Sequence, residues 1–392
     1  MLHDLRTAES VCAGHPDKLC DRMADSILDA CLRLDEHARV ACEVMVTRGR
    51  IIVAGEITCA GRPNIRGIVR QVLGDTGYNP HDYQVQVHLH RQSPDIAAGV
   101  SKSLEAREGS EEDGQALGAG DQGTMYGYAT DETKELLPLP VVLAHRICMR
   151  VDAVRRQNTI RGLLPDGKAQ VTIAYEGDQP KRVQTVVVSV QHGKDKNLGA
   201  LKKEIYTQVL LPCFKDFPMD DDTVILINPS GRFVEGGPAA DTGLTGRKLM
   251  VDTYGGLALQ GGGALSGKDP TKVDRSGAYM ARYIAKHIVA CGLAHRCRVN
   301  LCYAIGKAEP VAFQIETFGT ETISKHILAQ AVKACFPLSP AWMIGLLQLR
   351  RPIYAATAAY GHFTNPNYPW ERLGRCDALF AGVQKMQEHD LN

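Results

Sequence analysis

The chain has almost no net charge: 45 lysines and arginines stand against 44 aspartates and glutamates, a formal +1 at pH 7. No global field therefore draws it to nucleic acid or to an anionic membrane, and any basic chemistry has to be local. No apolar stretch approaches the length that crosses a bilayer. Met1 to Cys12 carries His3, Asp4, Arg6 and Glu9 and lacks the apolar run of a signal peptide. There are 12 cysteines, but no Cys-x-x-Cys pair among them. That spacing and their apolar surroundings point to reduced core thiols in a cytoplasmic protein. His88 and His90 share one strand face, yet no second ligand pair with zinc spacing accompanies them. The G-x-S-x-G of a hydrolase elbow is missing too.

What is present is length enough, at 392 residues, for two or three domains. One pattern recurs three times: helix, hairpin, helix, strand. The first copy opens with a helix over Cys20–Leu34, with Met23, Ala24, Ile27, Cys31 and Leu34 at helical spacing. Asp21, Arg22, Asp25, Asp29 and Arg33 form the opposite, polar face. Strands Arg39–Thr47 and Arg50–Cys59 meet at Arg48-Gly49, a helix follows over Ile65–Leu73, and Tyr83–His90 alternates as a strand. The second copy has a helix over Val141–Gln157, a hairpin over Ala169–His192 turning at Gly177-Asp178, a helix over Leu198–Leu210 and a strand at Thr223–Ile227. The third has a helix over Ser276–Cys291, a hairpin over Cys297–Phe318 turning at Gly306-Lys307, a helix over Ile323–Phe336 and a weaker fourth element near Ile353–Ala359. Copies of this length are not solenoid units. They predict an α/β (α+β) fold of three similar βαβ-type domains, with helices on one face of mostly antiparallel sheets, packed in pseudo-threefold fashion. The expected domains are 1–96, 118–235 and 236–392. Between the first two, Ala97–Gly118 is charged and glycine-containing and reads as a mobile loop, with Glu111, Glu112 and Asp113 towards solvent.

Asn228–Ser276 breaks the pattern. Its glycines are interleaved with Arg232, Arg247, Lys248, Lys268 and Lys272, and with Asp241, Asp252, Asp269 and Asp274. Glycine lets backbone N–H groups approach an anion and the cations neutralise it, so the stretch reads as a polyphosphate site. Gly262–Lys268 fits G-x-x-x-x-G-K, but Asp269-Pro270 replaces the Ser/Thr and helix of a P-loop. Gly14-His15-Pro16-Asp17-Lys18 starts the first helix, where Pro16 suits the first helical position. His15 and Lys18 offer cationic donors to an anion at the helix terminus, and Asp17 offers oxygen to Mg²⁺. Glu43 and Glu56 stand on strands, where glutamate is depleted.

These stretches, with Gln92-Ser93-Pro94-Asp95-Ile96, Gly118–Gly123, Asp252–Gly256, Glu316–Thr320 and Ala359–Phe363, resemble the methionine adenosyltransferase (S-adenosylmethionine synthetase) family over nearly the whole chain. The resemblance implies three similar α/β domains, and homo-oligomers, dimers or tetramers, with active sites shared across a dimer interface. It implies ATP and L-methionine as substrates, and Mg²⁺ and K⁺ as cofactors. His15, Lys168, Arg247 and Lys268 would be the catalytic group, with His15 at the departing oxygen and the cations on the phosphates. Asp166, Ser230, Arg232, Phe233, Asp241, Lys248, Ala264 and Asp274 would complete the ATP site. Glu56, Gln92, Asp121, Asp241 and Lys272 would receive methionine. Asp17 and Asp274 would meet Mg²⁺ and Glu43 would meet K⁺. Ala97–Gly118 would correspond to a gate. Leu265 and Gly167 depart from the family's usual phenylalanine and alanine or serine.

Overall fold

A computed structural model describes residues 4–109 and 117–390. In chain order the first third contains β1 (Asp4–Val11), α1 (Pro16–Leu34), β2 (Arg39–Thr47), β3 (Arg50–Thr58), α2 (Ile65–Thr76), β4 (Gln84–His90), α3 (Pro94–Ser101) and α4 (Leu104–Arg107). Next come β5 (Gly123–Thr130), α5 (Leu139–Arg156), β6 (Leu163–Glu176), β7 (Gln179–His192), α6 (Leu198–Ile205), α7 (Leu211–Cys213) and β8 (Val224–Ile227). The last third has β9 (Gly243–Leu244), α8 (Leu249–Asp252), α9 (Val273–Ala290), β10 (Arg296–Tyr303), β11 (Ala312–Glu316), α10 (Lys325–Cys335), α11 (Pro340–Leu346) and α12 (Cys376–Asp390).

The three hairpins are where the alternation puts them, and in β2 and β10 every second side chain is buried. They form three sheets, ordered β4-β3-β2-β9, β1-β6-β7-β8 and β11-β10-β5. Pairing is antiparallel except for β3 with β4 and β7 with β8. Each sheet borrows its edge strand from another copy. The N-terminal β1 pairs with β6 of the second sheet, β5 pairs with β10 of the third, and β9 returns to β2 of the first. The exchange closes in a ring and ties the three domains into one body. Helices α1, α5 and α9 each lie against their own sheet and its borrowed strand. The third copy lacks an outer parallel strand. Its fourth element is instead a 3₁₀ turn at Ala355–Ala358, which packs on α1.

Two other expectations change. Residues 97–109 carry helix α3 to Ser101 and the short α4, with Val100 and Ser103 buried. Glu105 accepts the Ala308 N–H at 2.9 Å, so this stretch is anchored on the β10–β11 connection. Glu111, Glu112 and Asp113 lie outside the described residues. The polar face of α1 is also only partly a solvent face, with Arg33 exposed but its aspartates withdrawn. Asp21, Asp25 and Asp29 are as buried as the apolar face opposite. All 12 cysteines are free, eight of them buried.

His145 on α5 is buried and shares a 2.8 Å hydrogen bond through Nδ1 with the Ser10 hydroxyl on β1. Burial, with Lys18 nearby, pushes its pKa down to about 3. An unfolded histidine takes a proton below about 6.5, so neutral His145 contributes stability that is complete above that pH and lost as pH falls towards 3. Between pH 7 and pH 5 this loss should come to about 2 kcal/mol. Urea unfolding at the two pH values should therefore show wild type losing about 2 kcal/mol more than His145→Asn, in which the other titrating groups cancel. Equal losses would contradict the assignment.

Candidate active site

The free edge of β2 and the buried aspartates of α1 together suspend the glycine-rich stretch. β9 pairs with Met45 and Val46, and the Thr245 N–H reaches the Val44 carbonyl at 3.0 Å. Further along the same edge Lys268 bridges Ala41, and Cys42 donates to the Gly267 carbonyl at 2.9 Å. Glu43 lies between these two attachments. The aspartates follow every fourth residue, a spacing that keeps them on one stripe of a helix. Asp17 accepts the Leu244 N–H at 3.0 Å, Asp21 the Gly246 N–H at 2.8 Å, and Asp25 the Gly267 N–H at 2.8 Å. Asp29 takes the N–H groups of Tyr354 and Ala355, both at 2.9 Å. These glycine N–H groups thus serve the aspartates rather than cradling an anion. The lysines and arginine beside them pair with Asp17 and Asp274.

At the start of α1 the chain turns at Gly14, where a Cβ would lie 2.4 Å from that of Pro165. Tyr78 donates to the Gly14 carbonyl at 2.6 Å, and Asp152 accepts the Ala13 N–H at 2.8 Å. So pinned, His15 caps the helix: its Nδ1 accepts the Asp17 N–H at 3.2 Å. That bond leaves the proton on Nε2. Burial, then Lys248, pushes the His15 pKa down to about 3, with Lys168 adding to the effect. His15 is therefore a neutral N–H donor, not the cation its sequence context suggests. Lys18 is not available to an anion either. It is fully buried between Asp21, at 2.8 Å, and Asp252.

Asp17 is buried, with Lys248 at 2.5 Å and Arg247 at 3.6 Å. Burial works to raise its pKa, but Lys248 and the Leu244 N–H hold it below the usual carboxylate value. Lys168 reaches solvent from β6. Nearby, Asp166 accepts the Gly237 N–H at 2.8 Å, and burial raises its pKa. Phe233 is half-buried and locked to His192 at the end of β7, its N–H on Nε2 at 3.1 Å and its carbonyl accepting the His192 N–H at 2.9 Å. Arg232, Ser230 and Asp241 are exposed. Ala264 packs where a Gly246 Cβ would stand, bringing it beside Arg247.

A second group converges on a crevice of about 350 Å³ lined by Glu56, Gln92, Asp121, Lys268, Lys272 and Asp274 among others. Lys268 stands 2.5 Å from Asp274, and Lys272 pairs with buried Asp269. Glu56 faces His90 at 3.0 Å across β3 and β4. His15, Asp17, Lys168, Arg232 and Arg247 contribute nothing to this lining. The predicted residues thus form two groups on one chain.

Among the described residues no group of three or more His, Cys, Asp or Glu is placed to hold a metal ion. A Mg²⁺ that keeps its waters and binds through one or two carboxylates plus phosphate needs no such cage. Asp17 and Asp274 fit that demand, since each already holds a lysine ammonium at 2.5 Å. No hydrogen bond or ion pair from the described residues reaches the Glu43 carboxylate, which leaves it open to a cation. Surrounding protein pushes its pKa up to about 7 against the pull of Lys268. Sequence reasoning missed the residues that hold these loops: Asp21, Asp25, Arg275, and Asn228, which pairs with both backbone groups of Val190. The four-residue spacing of the aspartates was the available signal. Leu265 fills the main core, and Cys12 Sγ lies 3.0 Å from where a Cβ on Gly167 would stand.

Three family profiles match the chain in succession: S-adenosylmethionine synthetase N-terminal domain over residues 3–96, central domain over 116–233 and C-terminal domain over 235–372. An S-adenosylmethionine synthase of Desulforudis audaxviator is 51% identical over 390 residues, covering 97% of this chain and 99% of the relative. Its counterpart in Corynebacterium kroppenstedtii is 51% identical over 400 residues, covering 98% and 100%. That of Staphylococcus epidermidis is 51% identical over 391 residues, covering 97% and 98%. The chain therefore belongs to the S-adenosylmethionine synthetase family and is a methionine adenosyltransferase.

Proposed function

We propose that the enzyme joins the sulfur of L-methionine to C5′ of ATP, expels the whole tripolyphosphate, and hydrolyses it to pyrophosphate and phosphate before release. A thioether is a neutral nucleophile with no proton to lose, so the displacement needs no general base. Charge grows on the leaving oxygen and along the phosphates, and preorganised donors there give the largest catalytic return. The observation that carries this reading is His15: a buried neutral imidazole, its Nε2–H without a hydrogen-bond partner among the described residues, beside Lys248 and Lys168. It donates to the departing oxygen while Lys168, Arg247, Lys248 and Lys268 hold the phosphates. Asp166, Ser230, Arg232, Phe233 and Ala264 seat the nucleotide. Glu56, Gln92, Asp121, Asp241 and Lys272 orient methionine. Asp17 and Asp274 would hold Mg²⁺, which supplies charge neutralisation on the polyphosphate. Lys248 and Lys268 pair with these two aspartates, and a bound polyphosphate would draw those lysines away. A P-loop phosphotransferase is disfavoured, because no helix follows Lys268 until Val273.

The two groups of residues support a homo-oligomer in which one subunit's His15 group faces its partner's Lys268 group. The free cysteines are compatible with a cytoplasmic protein. Incubation with ATP and methionine should yield S-adenosylmethionine, pyrophosphate and phosphate in equal amounts by chromatography. ADP or AMP as the nucleotide product would refute the reading.

Glu43 is the proposed K⁺ ligand. Glu43→Gln should blunt the activation of turnover by added K⁺ several-fold while the Mg²⁺ requirement stays. An unchanged K⁺ titration in this variant would remove Glu43 from that role.

A further inference from the structure

We propose that Asp25 and Arg275, which no substrate can touch, are positioning residues that fix Lys268 for catalysis. Both side chains are fully buried, and Arg275 grips Asp25 in a fork with contacts of 2.7 and 2.8 Å. A buried ion pair is by itself weak ground for a functional role. This pair does more than bind itself. Asp25 Oδ1 accepts the Gly267 N–H at 2.8 Å, and Arg275 donates to the Lys268 carbonyl at 3.0 Å. The backbone is therefore held just before and just after the dipeptide Gly267-Lys268. Cys42 holds its middle, through the Gly267 carbonyl at 2.9 Å.

The guanidinium has no spare donor. Its Nε reaches the Tyr279 hydroxyl at 3.1 Å, and its remaining N–H groups go to Asp25, the Lys268 carbonyl and Thr357 at 3.3 Å. Those contacts use all five N–H groups that an arginine owns. The ring of Tyr354 backs it at 4.2 Å. No looser cation reproduces this fork. Gly267 sits at φ +80°, and a Cβ there would lie 2.1 Å from the Cys42 carbonyl oxygen, so the segment has one available course. From it the Lys268 side chain meets Asp274, the residue before Arg275 on the first turn of α9. One residue of that turn steers the ammonium and the next steers the backbone beneath it.

This inference rests on the reading that Lys268 grips the polyphosphate. The test is a double-mutant cycle on S-adenosylmethionine formation, with kcat per folded active site. Asp25→Asn keeps the shape but loses the fork. It should lower kcat by about tenfold, a size expected when a catalytic group is misplaced by a fraction of an ångström. KM for methionine should stay within about twofold, since methionine carries no phosphate. In the Lys268→Ala background the same substitution should cost less than about twofold, because the group it positions is gone. An equal loss in both backgrounds would show a general structural role and overturn the proposal, as would an unchanged kcat in Asp25→Asn. Thr357→Val is the milder variant should Asp25→Asn fail to fold. It removes one Arg275 contact, and should give the same background-dependent loss at about threefold; a loss independent of background again overturns the proposal. A Lys268→Ala enzyme with wild-type kcat would instead bring down the reading of Lys268, and this inference with it.

Discussion

Lys268→Ala should lower kcat for S-adenosylmethionine formation by about 10²–10³, the usual cost of removing one preorganised donor from developing charge. The ammonium stands at the wall of the 350 Å³ crevice, held 2.5 Å from Asp274. The segment's attachments run through backbone atoms: the Gly267 N–H and carbonyl, and the Lys268 carbonyl. Alanine preserves them, so the variant should fold. The leaving group gains charge on the way to the transition state, so kcat should fall more than KM for ATP rises. Steady-state kinetics on the folded variant decides the matter. A kcat within about threefold of wild type would mean that Lys268 does not act on the polyphosphate.

Subunits inactivated in different groups should rescue one another. His15→Ala removes the donor of the first group and Lys268→Ala the cation of the second, and each homo-oligomer should be nearly inactive. If each site takes one group from either subunit, a mixed dimer contains one site with both defects and one with none. The mixed dimer should therefore recover about half of wild-type activity per dimer. Co-expression with two affinity tags, followed by assay of the doubly tagged species, measures this. Doubly tagged oligomers as inactive as their parents would place both groups in one subunit's site and contradict the shared arrangement.

The hairpins were readable because period-2 alternation is a local property, and the first two are closed by short turns, Arg48-Gly49 and Gly177-Asp178. The exchange of edge strands was not. β9 is two residues long, and it pairs with Met45 and Val46 from about 200 residues away. Nothing local distinguishes it from the surrounding loop. β1 carries Asp4, Arg6 and Glu9, the marks of a polar edge, and its partner β6 is also more than 150 residues away. The aspartates of α1 show a different limit. Periodicity separates an apolar from a polar face, but it cannot tell a face that meets water from one that meets backbone N–H groups. Lys18 was misread for the same reason: its partner Asp252 is over 200 residues away. Residues recognised by motif, such as His15 and Lys268, were legible only one at a time. Their division into two groups became visible only with the crevice and its lining.

The account's central claim is attack by sulfur at C5′ with loss of the intact tripolyphosphate, rather than attack on a phosphorus. ATP carrying ¹⁸O at the 5′ bridging position tests it directly. Mass spectrometry of a turnover with methionine should find all the label in the released phosphates and a nucleoside product joined to methionine through sulfur. Label retained in ADP, AMP or a methionyl adenylate would contradict it.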